Sequence, residues 1–133
     1  IQAQILELLE ELQEKMKMAM LFISHNLGVM ARLCNRIGVM YAGSLVELAD
    51  KKSLFTSPLH PYTIGLLRAV PRRDRRHEPL KAIPGNVCSL LEPPPGCRFH
   101  PRCSKAKEIC CAEAPSLERR ADHHHVACYF PGE

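Results

Sequence analysis

The sequence contains no tryptophan, few aromatic residues and no long hydrophobic run. Aromatic residues make up 5% of the 133 residues and the net charge is +4. A protein that binds nucleic acid usually has a more basic surface with interleaved aromatic side chains. The clearest apolar run, residues 18–23, is far shorter than the roughly 20 residues that span a bilayer. The composition therefore argues against nucleic-acid binding and against a membrane span.

The start of the chain and the thiols are the next informative features. The chain begins with Ile1 rather than methionine, inside a predicted helix, which indicates a piece of a longer protein. No segment has the charged, apolar and small-residue layout of a signal peptide. Seven cysteines without an export signal favour a reducing compartment, where thiols bind metal more often than they form disulfides.

The order of the predicted elements in the first half indicates an α/β arrangement. Apolar residues at helical spacing over residues 1–16 predict an amphipathic helix. Residues 18–23 lack polar alternation and predict a strand buried on both faces, as in a parallel sheet. Asn26 is placed to cap a helix from 27 to about 34. Two strands, 36–41 and 45–49, joined by a tight turn predict a hairpin.

The composition changes after Asp50. We expect one helical turn near residues 52–55 and a helix that Pro61 opens and that runs to about residue 69. The charge run at 72–76 predicts a solvated linker. From residue 80 onward, prolines and glycines predict loops, with one short helix from 104 to about 112.

His25 follows the predicted buried strand by two residues and precedes a predicted helix. Ligands of open parallel sheets bind beyond the carboxyl ends of the strands, and helix N-termini favour anions. His25 is therefore a candidate to donate to a phosphate or to orient a water. An ordinary loop histidine is the alternative interpretation.

Four cysteines near the C-terminus have the spacing C-x5-C-x6-C-x17-C, which is neither zinc-finger nor common ferredoxin spacing. They are Cys97, Cys103, Cys110 and Cys128. If 104–112 is helical, Cys110 lies about two turns beyond Cys103 on the same face, and Cys111 points about 100° away. Backbones about 10 Å apart suit a cluster better than one zinc ion, whose sulfurs lie about 2.3 Å from the metal. A zinc ion and a set of reduced thiols remain alternatives, as does His124 or His125 as a substitute ligand.

Several segments together resemble the ATP-binding subunits of ABC importers of the dipeptide/oligopeptide type. Residues 21–29, LFISHNLGV, resemble the switch-histidine segment, and residues 39–47, VMYAGSLVE, resemble the strand pair that follows it. The LF, PLHPYT and LLRAVP stretches within residues 54–71 resemble the extension of that branch, which IPG and GCRFHPRC continue. The similarity covers nearly the whole chain, in the same order.

This resemblance implies the C-terminal remnant of an ABC nucleotide-binding domain at residues 1–50, a helical connection at 51–71 and an irregular cysteine-rich extension at 72–133. His25 would contact the γ-phosphate of ATP and help to position the attacking water, with ATP and Mg²⁺ bound by the full-length subunit. One departure is Asn26, where aspartate is usual. Since no G-x-x-x-x-G-K-[ST] loop occurs in the sequence, we expect the isolated chain to be inactive.

The resemblance also implies a metal centre and partners. Members of the branch carry the four-cysteine set with a [4Fe–4S] cluster, which assigns Cys97, Cys103, Cys110 and Cys128 as ligands, with Zn²⁺ as the alternative. The cluster would be a structural staple, with redox control of transport as a weaker hypothesis.

The implied partners are a second ATPase subunit, transmembrane permease subunits and, indirectly, an extracytoplasmic solute-binding protein, at the cytoplasmic face of the membrane. Peptides, nickel or another solute would be imported. The alternatives are a stand-alone cysteine-rich metal-binding interaction module without ATPase activity and, more weakly, a zinc-dependent nucleic-acid binder.

Overall fold

The computed structural model describes residues 2–70 and 82–132, so the predicted linker at 72–76 lies outside the described residues. Five helices and four strands are named in chain order within each class. The helices are α1 Gln2–Met16, α2 Leu27–Leu33, α3 Lys51–Thr56, α4 Pro61–Arg68 and α5 Glu108–Ala112; the strands are β1 Arg36–Tyr41, β2 Ser44–Asp50, β3 Glu118–Ala121 and β4 His124–Val126. No helix in these ranges is both long and apolar enough to cross a membrane.

The predicted hairpin is confirmed. Strands β1 and β2 pair in antiparallel register from Arg36 opposite Asp50 to Tyr41 opposite Ser44. The two turn residues, Ala42 and Gly43, have φ angles of +47° and +79°. Positive φ at both central positions gives a turn whose twist matches that of the strands it joins. The local sequence therefore contained enough information to place this element.

The hairpin is half of a larger sheet with the strand order β1-β2-β4-β3. Strand β4 pairs antiparallel with β2, with Glu47 opposite Val126, and β3 pairs antiparallel with β4. The sequence predicted no strand in this C-terminal part. Three residues in β4 are too few to show alternation, and their pairing partner lies almost 80 positions earlier in the chain. The predicted boundaries of the three chain regions, at residues 50 and 71, stay a prediction. The sheet contains strands from both sides of these boundaries.

The core lies against one face of the hairpin. Ile37, Val39 and Tyr41 alternate with exposed residues along β1 and are each at most 6% exposed. Their cluster includes Leu54 from α3 and Phe99 from the cysteine-rich segment. The rings of Tyr41 and Phe99 meet edge to face, with centroids 5.1 Å apart, an arrangement that aromatic pairs prefer. The cysteine-rich segment is thus packed onto the hairpin core.

The predicted buried strand at residues 18–23 is wrong for this structure. These residues lie outside any helix or strand, and Leu21 and Ile23 are 92% and 90% exposed. Unlike a helix, a strand needs neighbouring strands for its backbone hydrogen bonds, and the strands described here pair elsewhere. A mixed helix-and-sheet fold is confirmed, whereas the expected parallel sheet is replaced by a small antiparallel one.

The predicted helices vary in accuracy. Asn26 caps α2 as expected, because its Oδ1 accepts the amides of Gly28 and Val29 at 2.9 and 3.3 Å. Helix α4 begins at Pro61, as predicted. The predicted helix at 104–112 is too long, since α5 covers Glu108–Ala112 alone and a separate 3₁₀ turn, His100–Arg102, precedes Cys103. Because Cys103 lies outside the helix, the helical-phase argument relating it to Cys110 does not hold.

Candidate functional site

His25 lies in the exposed segment between α1 and α2, directly before the cap of α2. The Asn26 amide donates to Ser24 Oγ at 3.0 Å, and the Asn26 side chain then caps the helix. This turn places an exposed His25 side chain beside the first turn of α2. A ligand can reach it there, and its role in ATP hydrolysis stays a prediction.

A cavity of about 20 Å³ brings together the four cysteines that the sequence singled out. Its walls come from the cysteine-rich loop, the start of α4 and the segment after β4. The lining residues are His60, Pro61, Cys97, Phe99, His100, Cys103, Lys105, Cys110, Pro115, Cys128, Tyr129 and Phe130. All four thiols are half-buried and none forms a disulfide. The structure thus gathers residues that are up to 31 positions apart in the sequence.

The remaining cysteines and the candidate histidines lie elsewhere. Cys111 is exposed, as expected for the spare thiol next to Cys110. Cys34 and Cys88 pack against the hydrophobic core. The described residues that line the cavity include neither His124 nor His125, which disfavours both as substitute ligands in this arrangement.

Backbone contacts explain how the loop presents its thiols. The amide of Cys97 donates to the carbonyl of Cys110 at 2.9 Å, and the amide of Cys103 donates to the carbonyl of His100 at 3.1 Å. Gly96 makes the first contact possible, since it has φ of +72° and a Cβ there would lie 2.3 Å from the Cys110 carbonyl oxygen. His100 Nδ1 donates to the Cys97 carbonyl at 2.9 Å. The loop therefore folds back on α5 and on itself.

The electrostatics of the cavity favour neutral thiols when no metal is bound. Burial raises the pKa of Cys97, Cys103 and Cys128 above the usual value of a thiol. The neighbouring thiols of the set raise these pKa values further, because each added thiolate repels the next. A metal that binds here must displace protons, and in exchange its positive charge removes the repulsion between thiolates.

The four thiols are chemically suited to a soft metal centre, but their arrangement in this structure is not that of a metal site. Four thiols are the ligands that zinc and iron–sulfur clusters prefer. Within residues 2–70 and 82–132, however, no three histidine, cysteine or acidic side chains are arranged to hold a metal ion. The cavity space of about 20 Å³ is close to that of one water-sized group. The residues fit the centre in their chemistry, and the walls must shift when it binds.

Sequence reasoning missed a buried polar network beside this cavity. Glu47 is fully buried, and its carboxylate accepts the amides of Leu59 and His60 at 2.7 and 2.9 Å. It also accepts from Nε2 of His124 at 2.7 Å. A buried carboxylate needs such donors to offset its lost hydration. The available signal was one acidic residue within the apolar stretch 45–49.

His60 belongs to the same network through its backbone and caps α4 with its ring. Its Nδ1 accepts the amide of Tyr62 at 3.1 Å, so this nitrogen carries no proton. Burial lowers the pKa of His60 to about 4, and the nearby Glu47 opposes this shift. The neutral ring is therefore the form that the folded protein uses as a helix cap.

Comparison with known proteins places this region in a family. Residues 46–110 match the family model described as "Oligopeptide/dipeptide transporter, C-terminal region". The chain thus contains an oligopeptide/dipeptide transporter C-terminal region. This confirms the family that the motifs predicted. The matched part of the transporter region includes Glu47, His60 and three of the four cysteines, and Cys128 follows it.

Curated relatives extend the match over nearly the whole chain. A peptide import ATP-binding protein of Brucella ovis is 49% identical over 134 residues, which cover 96% of this chain and 40% of the relative. The oligopeptide transport ATP-binding protein OppD of Escherichia coli is 46% identical over 100% of this chain and 39% of its own length. The dipeptide transport ATP-binding protein DppD of Bacillus subtilis is 44% identical over 98% and 39%, respectively. The chain spans about 40% of the length of these relatives.

Proposed function

We propose that the chain is the C-terminal part of the ATP-hydrolysing subunit that powers peptide import across the cytoplasmic membrane. The observation that carries this proposal is the match of the transporter C-terminal region together with 44–49% identity to ATP-binding proteins of peptide import and transport. Peptides, including dipeptides and oligopeptides, are the proposed solutes. The stand-alone module is not favoured, since these relatives are ATP-binding proteins.

Within this proposal, the chain contributes His25 to a nucleotide site that is completed by residues upstream of Ile1. His25 would contact the γ-phosphate and orient the attacking water, with ATP and Mg²⁺ held by the rest of the subunit. Its exposure and its place before the capped start of α2 support this role. A second ATPase subunit and the permease subunits would be the partners, at the cytoplasmic face of the membrane. The isolated chain is proposed to be inactive, because the phosphate-binding loop is absent from its sequence.

ATP hydrolysis by the full-length gene product tests this role of His25. We expect His25→Ala to lower the rate by about 10²-fold or more, the scale of a lost proton-transfer or water-orienting group, while ATP binding is retained. His123→Ala is the matched control, because His123 is also an exposed loop histidine with no proposed role. Equal rates for the two variants would contradict the proposal for His25. Micromolar ATP affinity of the 133-residue chain would contradict its predicted inactivity.

We further propose that Cys97, Cys103, Cys110 and Cys128 hold a [4Fe–4S] cluster, with Zn²⁺ as the alternative. The shared cavity and the all-thiol donor set support this. When bound, the centre would cross-link the cysteine loop to the segment after β4 and leave no obvious open position for a substrate.

Iron and acid-labile sulfide analysis of anaerobically purified full-length protein tests the metal assignment. We expect about four iron and four sulfide ions per chain, from the cluster stoichiometry. Cys110→Ser should lose them, whereas Cys111→Ser, the adjacent exposed thiol, should keep them. One equivalent of zinc without sulfide would overturn the cluster.

A further inference from the structure

One buried side chain, that of Glu47, does not line the cavity but forms hydrogen bonds with two of the segments that make its walls. The carboxylate of Glu47 on β2 binds the start of α4 through the amides of Leu59 and His60. It binds the beginning of β4 through His124. The first of these walls provides His60 and Pro61 to the cavity lining, and the second leads to Cys128. No thiol of the proposed metal site takes part in these contacts.

The segment that carries Cys128 is held on both sides of that cysteine. On one side, His124 bonds to Glu47, and the Ala127 amide donates to the Val46 carbonyl at 2.8 Å. On the other side, the Gly132 amide donates at 2.8 Å to the carbonyl of Leu59, the residue whose own amide donates to Glu47. Residues 124 and 132 therefore both depend on contacts that meet at Glu47. Cys128 lies midway between them.

We propose that Glu47 is a positioning residue for the thiol cavity: its buried carboxylate holds β4 and the start of α4 in register on β2, so that Cys128 faces the other three thiols. This inference rests on the metal-binding function proposed above. Glu47 acts on the metal through the walls and touches none of the four thiols. Loss of a group that directly fixes a metal ligand typically costs about 10–100-fold in metal affinity, and Glu47 would act one contact further out, through the backbone segments that carry the cavity walls.

The chemistry of this position requires a carboxylate. Oε1 accepts from Leu59 N and His124 Nε2, and Oε2 accepts from His60 N. A glutamine has one oxygen and one NH₂ group at these two places. In either orientation, its NH₂ group opposes one backbone N–H, which leaves a buried donor without a partner. Glu47→Gln therefore changes no volume and breaks the network.

Two variants and one matched control test the proposal in the full-length gene product. Glu47→Gln disturbs both walls. His124→Leu leaves the two amide bonds of Glu47 in place and removes the contact to β4, because leucine has no hydrogen-bond donor. This variant keeps the test informative if the first one fails to fold. Glu118→Gln is the control, because Glu118 on β3 also lies opposite Val126 yet is exposed.

Two readouts separate positioning from general stability. The first is the rate at which a chelator bleaches the visible thiolate-to-iron absorption, well below the unfolding temperature. The second is amide hydrogen exchange of residues 124–132 in the metal-free protein. We expect Glu47→Gln and His124→Leu to lose metal about 10–100-fold faster than wild type and to exchange faster at 124–132. Glu118→Gln should match wild type in both.

Three other outcomes would each contradict part of the proposal. Bleaching and exchange equal to the control would overturn the positioning role. Faster exchange with unchanged bleaching would also overturn it, since Glu47 would then act on stability alone. If wild type binds neither iron nor zinc, the proposed metal function fails, and exchange in the metal-free variants still decides whether Glu47 holds these walls.

Discussion

The N-terminal arm, residues 2–33, and the hairpin unit, which comprises residues 36–68 and 97–132, use similar apolar residues with opposite results. Of the arm's described side chains, Val29 alone is buried, whereas Leu8, Met16 and Leu21 are more than half exposed. In the hairpin unit, Ala49, Leu54 and Val126 are fully buried. Apolar residues stabilise a fold only where a facing surface covers them. The difference shows that the hairpin unit has its partner surfaces within the chain, and that the arm's apolar face is uncovered here.

The largest expected effect comes from truncating a core ring in the hairpin unit. Phe99 is 3% exposed and contacts the rings of Tyr41, His60 and Tyr62. Phe99→Ala should lower the free energy of unfolding of the chain by about 3–5 kcal/mol, from lost burial and the cavity left behind. Leu21→Ala in the arm should change it by less than about 0.5 kcal/mol. Denaturant titration measures both, and similar losses would contradict the comparison.

The same arm variant tests whether residues upstream of Ile1 cover this surface. In the full-length gene product, we expect Leu21→Ala to cost about 2–5 kcal/mol, which is the cost of truncating a leucine that a facing surface buries. A near-zero effect in both the chain and the full-length product would argue that the run stays exposed.

Acid should destabilise the hairpin unit, which buries a titratable ring, more than the arm. His60 has a pKa of about 4 in the folded chain and an ordinary value of 6.5. The unfolded chain therefore gains a proton on His60 between pH 6.5 and 4, while the folded chain does not. Stability is full above pH 6.5 and falls towards pH 4, by about 3 kcal/mol at about 1.4 kcal/mol per pKa unit.

His60→Asn is the control for this pH dependence, since asparagine can cap α4 without titrating. Its loss of the ring contact with Phe99 lowers stability at every pH, so the slope is the informative quantity. Unfolding free energies of both proteins at pH 7 and pH 4.5 measure it. Parallel curves would show that His60 does not cause the acid sensitivity.

Local signals predicted the elements whose cause is local. The turn residues Ala42 and Gly43, the cap Asn26 and the helix-opening Pro61 each act through their own backbone or their nearest neighbours, so a sequence pattern is enough to place them. The strand at 18–23 failed for the opposite reason, because a strand depends on neighbours that the pattern does not contain.

In the candidate site, too, the sequence was enough to predict one part and not enough to predict another. The spacing and the resemblance singled out the four cysteines, and the structure gathers them at one cavity, although their role as ligands stays a prediction. The contact between Glu47 and His124 joins residues 77 positions apart. One acidic residue in an apolar strand indicates that a partner exists and does not say which one. The register of β4 on β2 decides this, and a three-residue strand carries too little pattern to predict it.

Alanine substitutions at two glycines test the packing of the hairpin unit, with a smaller expected effect on stability. Gly96 and Gly132 both have positive φ, at +72° and +86°. A Cβ on Gly96 would lie 2.3 Å from the Cys110 carbonyl oxygen, whereas a Cβ on Gly132 would meet nothing within 4 Å. Both alanine variants share the backbone strain, so Gly96→Ala should cost about 1–3 kcal/mol more, from the clash alone. Equal unfolding free energies would mean that the cysteine loop moves away from α5 without loss.

The smallest expected effect concerns the contact between α1 and α2 in the arm. Arg32 donates to both carboxylate oxygens of Glu10, with its Nε at 2.8 Å and its terminal nitrogen at 2.7 Å. The hydrogen bond to Arg32 lowers the pKa of Glu10. Exposed ion pairs contribute little to stability and are screened by salt. Glu10→Gln should therefore leave the unfolding midpoint of the chain nearly unchanged.

Local exchange should nevertheless reveal this pair, because α1 has few other tertiary contacts. We expect faster amide exchange along α1 in Glu10→Gln than in Glu11→Gln, which removes a carboxylate that pairs with Lys15 of the same helix. High salt should weaken the difference, since it screens the ion pair. Equal exchange in the two variants would mean that α1 is held by its apolar contacts with α2. The arm would then resemble the hairpin unit more closely than its exposed side chains indicate.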